Sequence, residues 1–312
     1  MKAAQINSYG GPEIIEIREI SKPSLKEGQI LVEVDSASIN AIDWKIRLGY
    51  MKKMIPLTFP ITLGGDFAGK VVEVSESVTD FKVGDEVYGN GIIINKGSGS
   101  IAEFVAANAA NTSLKPKSVN NKEASALPLV GTSAIQAIED HINLQSGQKI
   151  LIHGGAGGIG HVAIQFAKSL GAYVATTVKT EDIEFVKELG ADEVIDYTKQ
   201  NFEEILKDFD GVLDNVGGET TTKSVQVLKN GGVLVSLASY SFDKELLTKY
   251  GVKGIAQQTK TDTSHLKRLA ELVDAEKIKI KIDKVFSLDQ IKEAFTYQEQ
   301  IHPKGKVVIK IK

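Results

Sequence analysis

Hydrophobic and polar residues follow two different patterns along this chain, and the change falls near residue 121. Before it, short runs with partial two-residue alternation, such as residues 14–20 and 29–34, are separated by Gly and Pro, which predicts β-strands joined by turns. After it, β-favouring runs alternate with segments of helical periodicity. The first pattern is typical of a small barrel and the second of a parallel sheet covered by helices. The predicted fold class is therefore α/β, with a doubly wound parallel sheet plus a β-barrel domain.

Residues 149–170 carry the strongest local signal. A β-favouring run and an amphipathic helical pattern flank Gly155, Gly157 and Gly160, which have the spacing G-x-G-x-x-G. Such glycines provide a tight turn, room for a pyrophosphate beside the backbone, and close packing of helix on sheet. The helix N-terminus adds unpaired N–H groups and a partial positive charge. The sequence therefore predicts a dinucleotide site formed by Gly155, Ala156, Gly157, Gly158, Ile159 and Gly160.

The composition and net charge of the chain exclude several classes of function. The 312 residues, a length typical of about two domains, include no cysteine, which removes disulfides, thiolate metal sites and cysteine nucleophiles. Because 37 Lys and Arg nearly balance 40 Asp and Glu, we expect neither a nucleic-acid surface nor a membrane surface. The alternating Lys and Ile of residues 277–282 predict a strand with one exposed face. With no signal-peptide core and no apolar run near a membrane span, the expected location is cytoplasmic.

Several sequence blocks carry a family resemblance. Residues 40–49 read NAIDWKIRLG and resemble the pattern N-x-x-D-W-K-x-R-x-G, and residues 63–69 read LGGDFAG and resemble L-G-x-D-x-A-G. Further matches follow in order at residues 81–88, 190–197, 214–218 and 305–308. These blocks are similar to those of the medium-chain dehydrogenase/reductase superfamily, in its zinc-free, quinone-oxidoreductase-like branch. The resemblance runs nearly end to end.

The resemblance implies a domain organisation. A GroES-like domain is expected at residues 1–122, a Rossmann domain at 123–276, and a C-terminal segment at 277–312 that returns to the first domain. The family places its active site in the cleft between the domains, and it also implies a homodimer.

Zinc-dependent relatives place Cys, His and Glu where this chain has Asn40, Gly65 and Asp66, and the four-cysteine loop of their structural zinc is missing. A lone Asp66 cannot form a tetrahedral site. The histidines show no metal-like spacing, and His153 and His161 bracket the glycine loop, where contacts to loop backbone or cofactor are expected. We therefore expect no metal.

The second strand of the sheet indicates which cofactor binds. An NAD site usually has an acidic residue at the end of this strand, which holds the ribose 2′-hydroxyl. Here the strand ends in Thr176, Thr177, Val178 and Lys179, and no acid occurs before Glu181. Lys179 can neutralise a 2′-phosphate, and Thr176 or Thr177 can donate hydrogen bonds to it, which favours NADPH. The alternative is that Lys179 is simply a solvated lysine.

Other cofactor contacts follow from the resemblance alone. The family has cofactor-facing residues at positions that match Ser133, Tyr197, Val216, Ala238 and Ser239 in this chain. Each of these can equally be structural. Asn40 can hydrogen-bond the nicotinamide or the substrate.

Without a metal to polarise a carbonyl, hydride transfer is easiest to an electron-poor acceptor such as a quinone or an α,β-unsaturated carbonyl. Tyr50 is the candidate proton donor or carbonyl-binding group, since related enoyl reductases carry a tyrosine one position away, and a plain surface tyrosine is the alternative. The expected partner is thus a small-molecule quinone or enone.

Two alternative functions remain at this point. One is an enoyl-thioester reductase, although no basic path for a long phosphorylated substrate is evident. The other is a non-catalytic NADPH-binding protein, because some zinc-free relatives act as lens crystallins, bind RNA or serve as membrane-associated adaptors. A hydrolase is disfavoured because no G-x-S-x-G motif occurs.

Overall fold

The computed structural model of the chain describes residues 1–53 and 56–312. Contacts divide it into two compact units. The barrel unit comprises Met1–Leu129, Thr261–Ala275 and Ile280–Lys312, and the sheet unit comprises Val130–Lys260 and Glu276–Lys279.

The strands in chain order are β1 (Lys2–Ile6), β2 (Glu16–Glu19), β3 (Gln29–Ile39), β4 (Ile61–Thr62), β5 (Asp66–Val74), β6 (Glu86–Asn90), β7 (Phe104–Asn108), β8 (Thr112–Leu114), β9 (Lys149–His153), β10 (Tyr173–Val178), β11 (Glu193–Asp196), β12 (Phe209–Asp214), β13 (Leu228–Ser236), β14 (Lys253–Ala256), β15 (Ile282–Ser287) and β16 (Lys306–Lys310). The α-helices are α1 (Ala41–Arg47), α2 (Asn121–Ser125), α3 (Pro128–Ile135), α4 (Gly158–Ser169), α5 (Ile183–Glu188), α6 (Phe202–Ile205), α7 (Glu219–Ser224), α8 (Lys244–Tyr250), α9 (Thr263–Asp274) and α10 (Ile291–Ile301).

Two sheets build the barrel unit. β2, β1 and β4 form a small antiparallel sheet, and a larger sheet has the order β15-β16-β3-β5-β6-β8, with β7 also paired to β3. β3 is the central strand, and its side chains Ile30, Val32 and Val34 are buried against Phe67 and Val105. The alternating pattern of the first part of the chain therefore forms the predicted GroES-like β-barrel architecture.

The sheet unit is a parallel sheet of order β11-β10-β9-β12-β13-β14. Its strand order reverses between β9 and β12, which is the doubly wound arrangement of a dinucleotide-binding fold. Ile150, Leu151 and Ile152 of β9 are all fully buried, as expected of a central strand covered on both faces. The predicted α/β fold class is confirmed.

The contact-based units differ from the expected domain limits at three segments: residues 123–129 and 261–275 belong to the barrel unit, and residues 277–279 belong to the sheet unit. The longest of these is 261–275. The Tyr88 hydroxyl donates to the carbonyl of Leu266 on α9 at 2.5 Å, and the Ser118 N–H donates to Asp274 at 2.9 Å. These hydrogen bonds attach α9 to the barrel unit, whereas its helical periodicity had placed it in the Rossmann series.

The strand expected at residues 277–282 is wrong, because β15 begins only at Ile282. The backbone of Lys279 hydrogen-bonds instead to the side chain of Gln165, which donates to the Lys279 carbonyl and accepts from its N–H, both at 2.9 Å. These contacts replace strand pairing there. No helix within residues 1–53 and 56–312 combines the length and apolar character needed to cross a membrane.

Candidate functional site

The carboxyl ends of the parallel strands form one edge of the sheet unit. The register pairs His153 of β9 with Thr177 of β10 on one side and with Asp214 of β12 on the other. The expected cofactor residues follow these strand ends directly: Tyr197 after β11, Lys179 after β10, the glycine loop after β9, Val216 after β12, and Ala238 and Ser239 after β13. In open α/β sheets, ligands bind outside this edge at the point where the strand order reverses.

The glycine loop is packed so closely that it excludes side chains at two positions. A Cβ atom on Gly155 would lie 2.1 Å from the Thr176 hydroxyl, and one on Gly160 would lie 2.2 Å from the carbonyl oxygen of Gly154. Gly154 itself has φ +70°, a left-handed conformation that favours glycine. The motif spacing does not identify Gly154, although the strand that ends at His153 requires this turn.

Gly157 differs from the other two motif glycines. Its φ is −76°, and an added Cβ would meet only the Gly154 carbonyl at 3.4 Å, an ordinary contact. It is the N-cap of α4, and no side chain caps this helix in the described structure. The first N–H groups of α4 are therefore available to a ligand, and the space beside Gly157 allows a pyrophosphate to approach. These features fit a dinucleotide.

His153 fixes the strand end beneath the loop. Its Nδ1 lies 2.9 Å from the Thr177 hydroxyl, and its Nε2 lies 2.9 Å from the Ser224 hydroxyl. Because Ser224 donates its proton to the Thr220 carbonyl, Nε2 donates to Ser224 and Nδ1 accepts from Thr177. Burial lowers the pKa of His153 to about 4, so the ring is neutral in the folded protein.

Thr177, a residue expected to contact the cofactor, is thus engaged within the protein. Its side chain is buried, and its oxygen also accepts from the Gly154 N–H at 3.4 Å. Thr176 donates to the Ile152 carbonyl at 2.7 Å and is fully buried. The two threonine hydroxyls therefore support the loop from below.

His161 contacts loop backbone, as the sequence led us to expect. It lies on α4 with its Nδ1 2.9 Å from the Gly157 carbonyl oxygen. This carbonyl also accepts the His161 N–H at 3.1 Å. The side chain thus reinforces the first turn of the helix.

Asp214 organises the next two loops, a role that the sequence analysis missed, since Asp214 appeared there only as part of a family block. One carboxylate oxygen accepts the N–H groups of Val216 and Gly217, both at 2.9 Å. The other accepts the hydroxyls of Thr221 at 2.5 Å and Ser236 at 2.8 Å. An acid at a strand end followed by Asn and two Gly is the signal that could have identified this hydrogen-bonding centre.

This centre positions the remaining residues of the edge. Val216 is 57% exposed, so an apolar side chain projects from the loop that follows β12. The Ser236 hydroxyl accepts the N–H groups of Ala238 and Ser239 at 3.2 and 3.0 Å. The Ser239 hydroxyl lies 2.8 Å from that of Thr221, which closes the network.

Lys179 and Tyr197 lie side by side where β10 and β11 end. The Tyr197 N–H donates to the Val178 carbonyl at 3.1 Å, and the Tyr197 side chain is 52% exposed. Lys179 is half-buried, with its ammonium 4.0 Å from Glu181. The nearby acid at the end of β11, Asp196, accepts from Thr180 and Thr198, and these hydrogen bonds lower the pKa of its carboxyl.

Ser133 on α3 is buried at the β14 side of the sheet. Its hydroxyl lies 2.8 Å from that of Thr259, and its carbonyl accepts from the Gln257 amide at 3.0 Å. Both partners follow β14, so Ser133 belongs to the same edge of the sheet.

Asn40 and Tyr50 lie in the barrel unit. Asn40 is buried at the N-cap of α1, where its amide nitrogen donates to Asp66 at 2.8 Å and its amide oxygen accepts from Lys306. Tyr50 is 69% exposed and packs edge-on against Trp44, with ring centroids 6.0 Å apart.

No group of three or more His, Asp or Glu side chains in the described parts of the chain is arranged to hold a metal ion. At the position of the zinc relatives' histidine, a Cβ on Gly65 would lie 2.8 Å from the Asn90 amide nitrogen. Asp66 accepts from Asn40, from Asn90 and from the Leu129 N–H.

Substitutions of two motif glycines should have different effects, one on dinucleotide binding and the other on stability. Gly157→Ala should keep the free energy of unfolding within about 1 kcal/mol of wild type, because Ala is tolerated at this φ, although it caps a helix less well than Gly. It should weaken dinucleotide binding about tenfold or more, or about 1.4 kcal/mol, because the methyl group occupies the approach to the helix. Gly160→Ala should lower the free energy of unfolding by about 1–3 kcal/mol.

Urea unfolding and calorimetric titration with the dinucleotide separate these effects. A Gly157→Ala protein that binds as tightly as wild type would contradict the assigned approach.

His153 predicts a pH dependence of stability. Its folded pKa of about 4 is below the ordinary 6.5, so the unfolded chain takes up the proton first as the pH falls. Its contribution is present above pH 6.5 and is lost progressively down to about pH 4. The loss is on the order of 3 kcal/mol. The difference in urea midpoint between wild type and His153→Gln should therefore shrink over this range. His302→Asn, at an exposed helix end, is the control and should keep the wild-type slope; an unchanged difference for His153→Gln would contradict the assignment.

Comparisons with known proteins give the family. The model described as "Alcohol dehydrogenase GroES-like domain" matches residues 26–117, and "Zinc-binding dehydrogenase" matches residues 189–309. The chain is 38% identical over 320 residues to 2-methylene-furan-3-one reductase of Solanum lycopersicum, a match that spans 99% of this chain and 79% of the relative. It is 36% identical over 319 residues to the chloroplastic NADPH-dependent alkenal/one oxidoreductase of Arabidopsis thaliana, with the same coverage of 99% and 79%.

A solved structure gives the same result for the fold. The quinone oxidoreductase from Coxiella burnetii superposes with a TM-score of 0.92 at 32% sequence identity, covering 100% of this chain and 99% of the other. One of the two family models is described as zinc-binding, whereas this chain has no cysteine that could serve as a zinc ligand. The chain belongs to the medium-chain dehydrogenase/reductase family.

Proposed function

We propose that this protein is an NADPH-dependent oxidoreductase that reduces quinones or α,β-unsaturated carbonyls without a metal. The observation that carries the proposal is the uncapped N-terminus of α4, which lies beside Gly157 at the point where the strand order reverses. The names of the relatives support the acceptor class, since they include an alkenal/one reductase and a quinone oxidoreductase.

The residues after β10 support NADPH over NADH. Lys179 stands where an NAD-binding protein usually has an acid, and the first acid that follows it, Glu181, is 4.0 Å from the lysine ammonium. Tyr197 offers an exposed ring beside it. Because Thr176 and Thr177 are engaged in buried hydrogen bonds, the proposed 2′-phosphate contact rests on Lys179.

Bound NADPH supplies the hydride, and the chain's own residues supply position and electrostatics. The α4 N-terminus stabilises the negative pyrophosphate, and Asp214 holds the loops of Val216 and Ala238 in one arrangement. The proposed pyrophosphate loop also includes Gly155, Ala156, Gly158, Ile159 and Gly160. Ser133 and Ser239 are proposed cofactor contacts farther along the same edge of the sheet, beside β14 and β13. Tyr50 remains a proposed acceptor contact, since it is exposed.

Two finer expectations belong to the same proposal, and one alternative stands beside it. We infer a homodimer, as the resemblance implies, and a cytoplasmic location, although one compared relative is named as chloroplastic. An enoyl-thioester reductase is the second candidate: a solved enoyl reductase has a TM-score of 0.88 to this chain, at 25% identity.

The proposal predicts that the purified protein consumes NADPH anaerobically when given a simple quinone or a short-chain enone. The preferred acceptor distinguishes quinone from enone chemistry, and a short crotonyl thioester tests the second candidate. NADPH binding without turnover of any of these acceptors would contradict the proposed substrate class. No binding at all would contradict the dinucleotide site.

Lys179→Glu should weaken NADPH binding about tenfold or more, because it removes a positive charge and adds a negative one beside the 2′-phosphate. NADH binding should change little. Lys187→Glu is the matched control, since Lys187 is an exposed lysine on α5 that pairs with Glu184, and it should bind both cofactors as wild type does. Equal losses for NADPH and NADH in Lys179→Glu, measured by calorimetry, would rule out the assignment.

A further inference from the structure

A series of hydroxyl groups connects the buried Asp214 carboxylate to the surface of the cofactor edge. Asp214 is fully buried at the end of β12, and the four groups that donate to it are all neutral: two backbone N–H groups and the hydroxyls of Thr221 and Ser236. The Ser239 hydroxyl lies one step farther from Asp214, 2.8 Å from that of Thr221. Thr221 is buried and Ser239 is partly exposed. The series therefore runs from a buried charge to a partly exposed residue.

The direction of each hydrogen bond in this series follows from the carboxylate. An ionised carboxylate only accepts, so Thr221 gives its one proton to Asp214. The Thr221 oxygen then has only lone pairs for its second partner, and Ser239 must donate its own proton to Thr221. Because that proton is used, the Ser239 oxygen can only accept a hydrogen bond from a further partner.

Contacts between neighbouring loops place Ser239 at the cofactor edge. Val216 adjoins the glycine loop, since a Cβ built on Gly154 would lie 3.7 Å from its Cγ2. Gly217 adjoins the next loop, since a Cβ built there would lie 2.9 Å from the Cβ of Ala238. The loops that follow β9, β12 and β13 are thus neighbours, and Ser239 comes directly after Ala238. A dinucleotide with its pyrophosphate at α4 crosses these strand ends.

We propose that Asp214, Thr221 and Ser239 form a hydrogen-bond relay that makes Ser239 an obligate acceptor for a donor group on the nicotinamide half of the cofactor. The inference rests on the proposed function, in which Lys179 after β10 binds the adenosine end, so that the nicotinamide end lies over β12 and β13. That half offers neutral donors of two kinds, the carboxamide N–H and the ribose hydroxyls. Ser239 contacts the cofactor, and Thr221 and Asp214 are positioning residues that act through it.

The buried negative charge makes the relay selective. Hydrogen bonds in a chain polarise one another, so the carboxylate at one end makes the Ser239 oxygen a stronger acceptor at the other. A carbonyl oxygen or an anionic group turned towards Ser239 would meet lone pairs instead of a proton. The nicotinamide half therefore binds with a donor towards this serine, which restricts the orientation of the ring that delivers the hydride.

Two variants interrupt the relay at different points. Thr221→Val removes the hydroxyl that orients Ser239, and Ser239→Ala removes the acceptor itself. Each should weaken NADPH binding about three- to tenfold, the loss expected for one hydrogen bond. Neither should change the affinity for adenosine 2′,5′-bisphosphate, which lacks the nicotinamide half. Thr221→Ser keeps the hydroxyl and should retain NADPH affinity. Thr222→Val, at an exposed threonine of the same helix, is the control and should bind both ligands as wild type does.

Calorimetric titration with both ligands distinguishes the relay from a general structural effect. In the double variant Thr221→Val/Ser239→Ala, the two losses should not add, because Thr221 acts through Ser239. Unchanged NADPH affinity in Ser239→Ala, equal losses for NADPH and the bisphosphate, or additive losses in the double variant would overturn the inference.

A cofactor analogue with an acetyl group in place of the carboxamide identifies the donor. If Ser239→Ala binds this analogue as tightly as wild type does, the donor is the carboxamide N–H. If Ser239→Ala still binds it more weakly than wild type does, the donor is a ribose hydroxyl. Both results support the relay.

Failure of the proposed function gives a different result. A wild-type protein that binds NADPH, with the expected losses in the variants, but reduces no quinone or enone would contradict the proposed reaction and support the relay. A wild-type protein that binds neither NADPH nor the bisphosphate would contradict the dinucleotide site, and the relay with it.

Discussion

Close packing of the loop from β9 to α4 against its neighbours is the constraint on which the cofactor site depends. Gly155 and Gly160 allow the loop to lie against Thr176 and the Gly154 carbonyl at distances that any side chain would prevent. This packing places the first turn of α4 at the edge of the sheet, where no side chain caps its N–H groups in the described structure. An anion can then be bound by backbone alone, without a charged side chain in the loop.

Buried polar side chains transmit this geometry to the neighbouring strands. His153 bonds to Thr177 on one side and to Ser224 on the other, so β9 is held to β10 and to α7 beneath the loop. Asp214 accepts four hydrogen bonds: two from the loop that follows β12, one from Thr221 on α7 and one from Ser236 at the end of β13. Such saturated networks specify one arrangement, because every alternative leaves a buried polar atom unpaired. Asp43 in the barrel unit differs from Asp214, because one of its buried carboxylate oxygens lacks a hydrogen-bond partner in the described structure.

The sequence predicted most of the fold and the centre of the site, because those depend on local patterns. Alternation and helical periodicity reflect neighbours within a few residues, and Gly155, Gly157 and Gly160 lie in one continuous strand–turn–helix segment. The remainder depends on contacts between distant parts of the chain. Asn40 and Lys306 are 266 positions apart, and only the fold brings them together. The burial of the Thr177 hydroxyl could not be predicted for a related reason. The sequence pattern of β10 is compatible with a hydroxyl that is buried and with one that faces the cofactor.

The central claim, that this protein transfers hydride to a carbon or oxygen acceptor, is tested most directly by isotope tracing. NADPH carrying deuterium at the transferring position of the nicotinamide would be incubated anaerobically with a short-chain enone, and the product analysed by mass spectrometry and NMR. The account predicts one deuterium at the carbon β to the carbonyl, with the second added hydrogen taken from solvent. A reduced product without deuterium, or NADPH bound with no product formed, would contradict it.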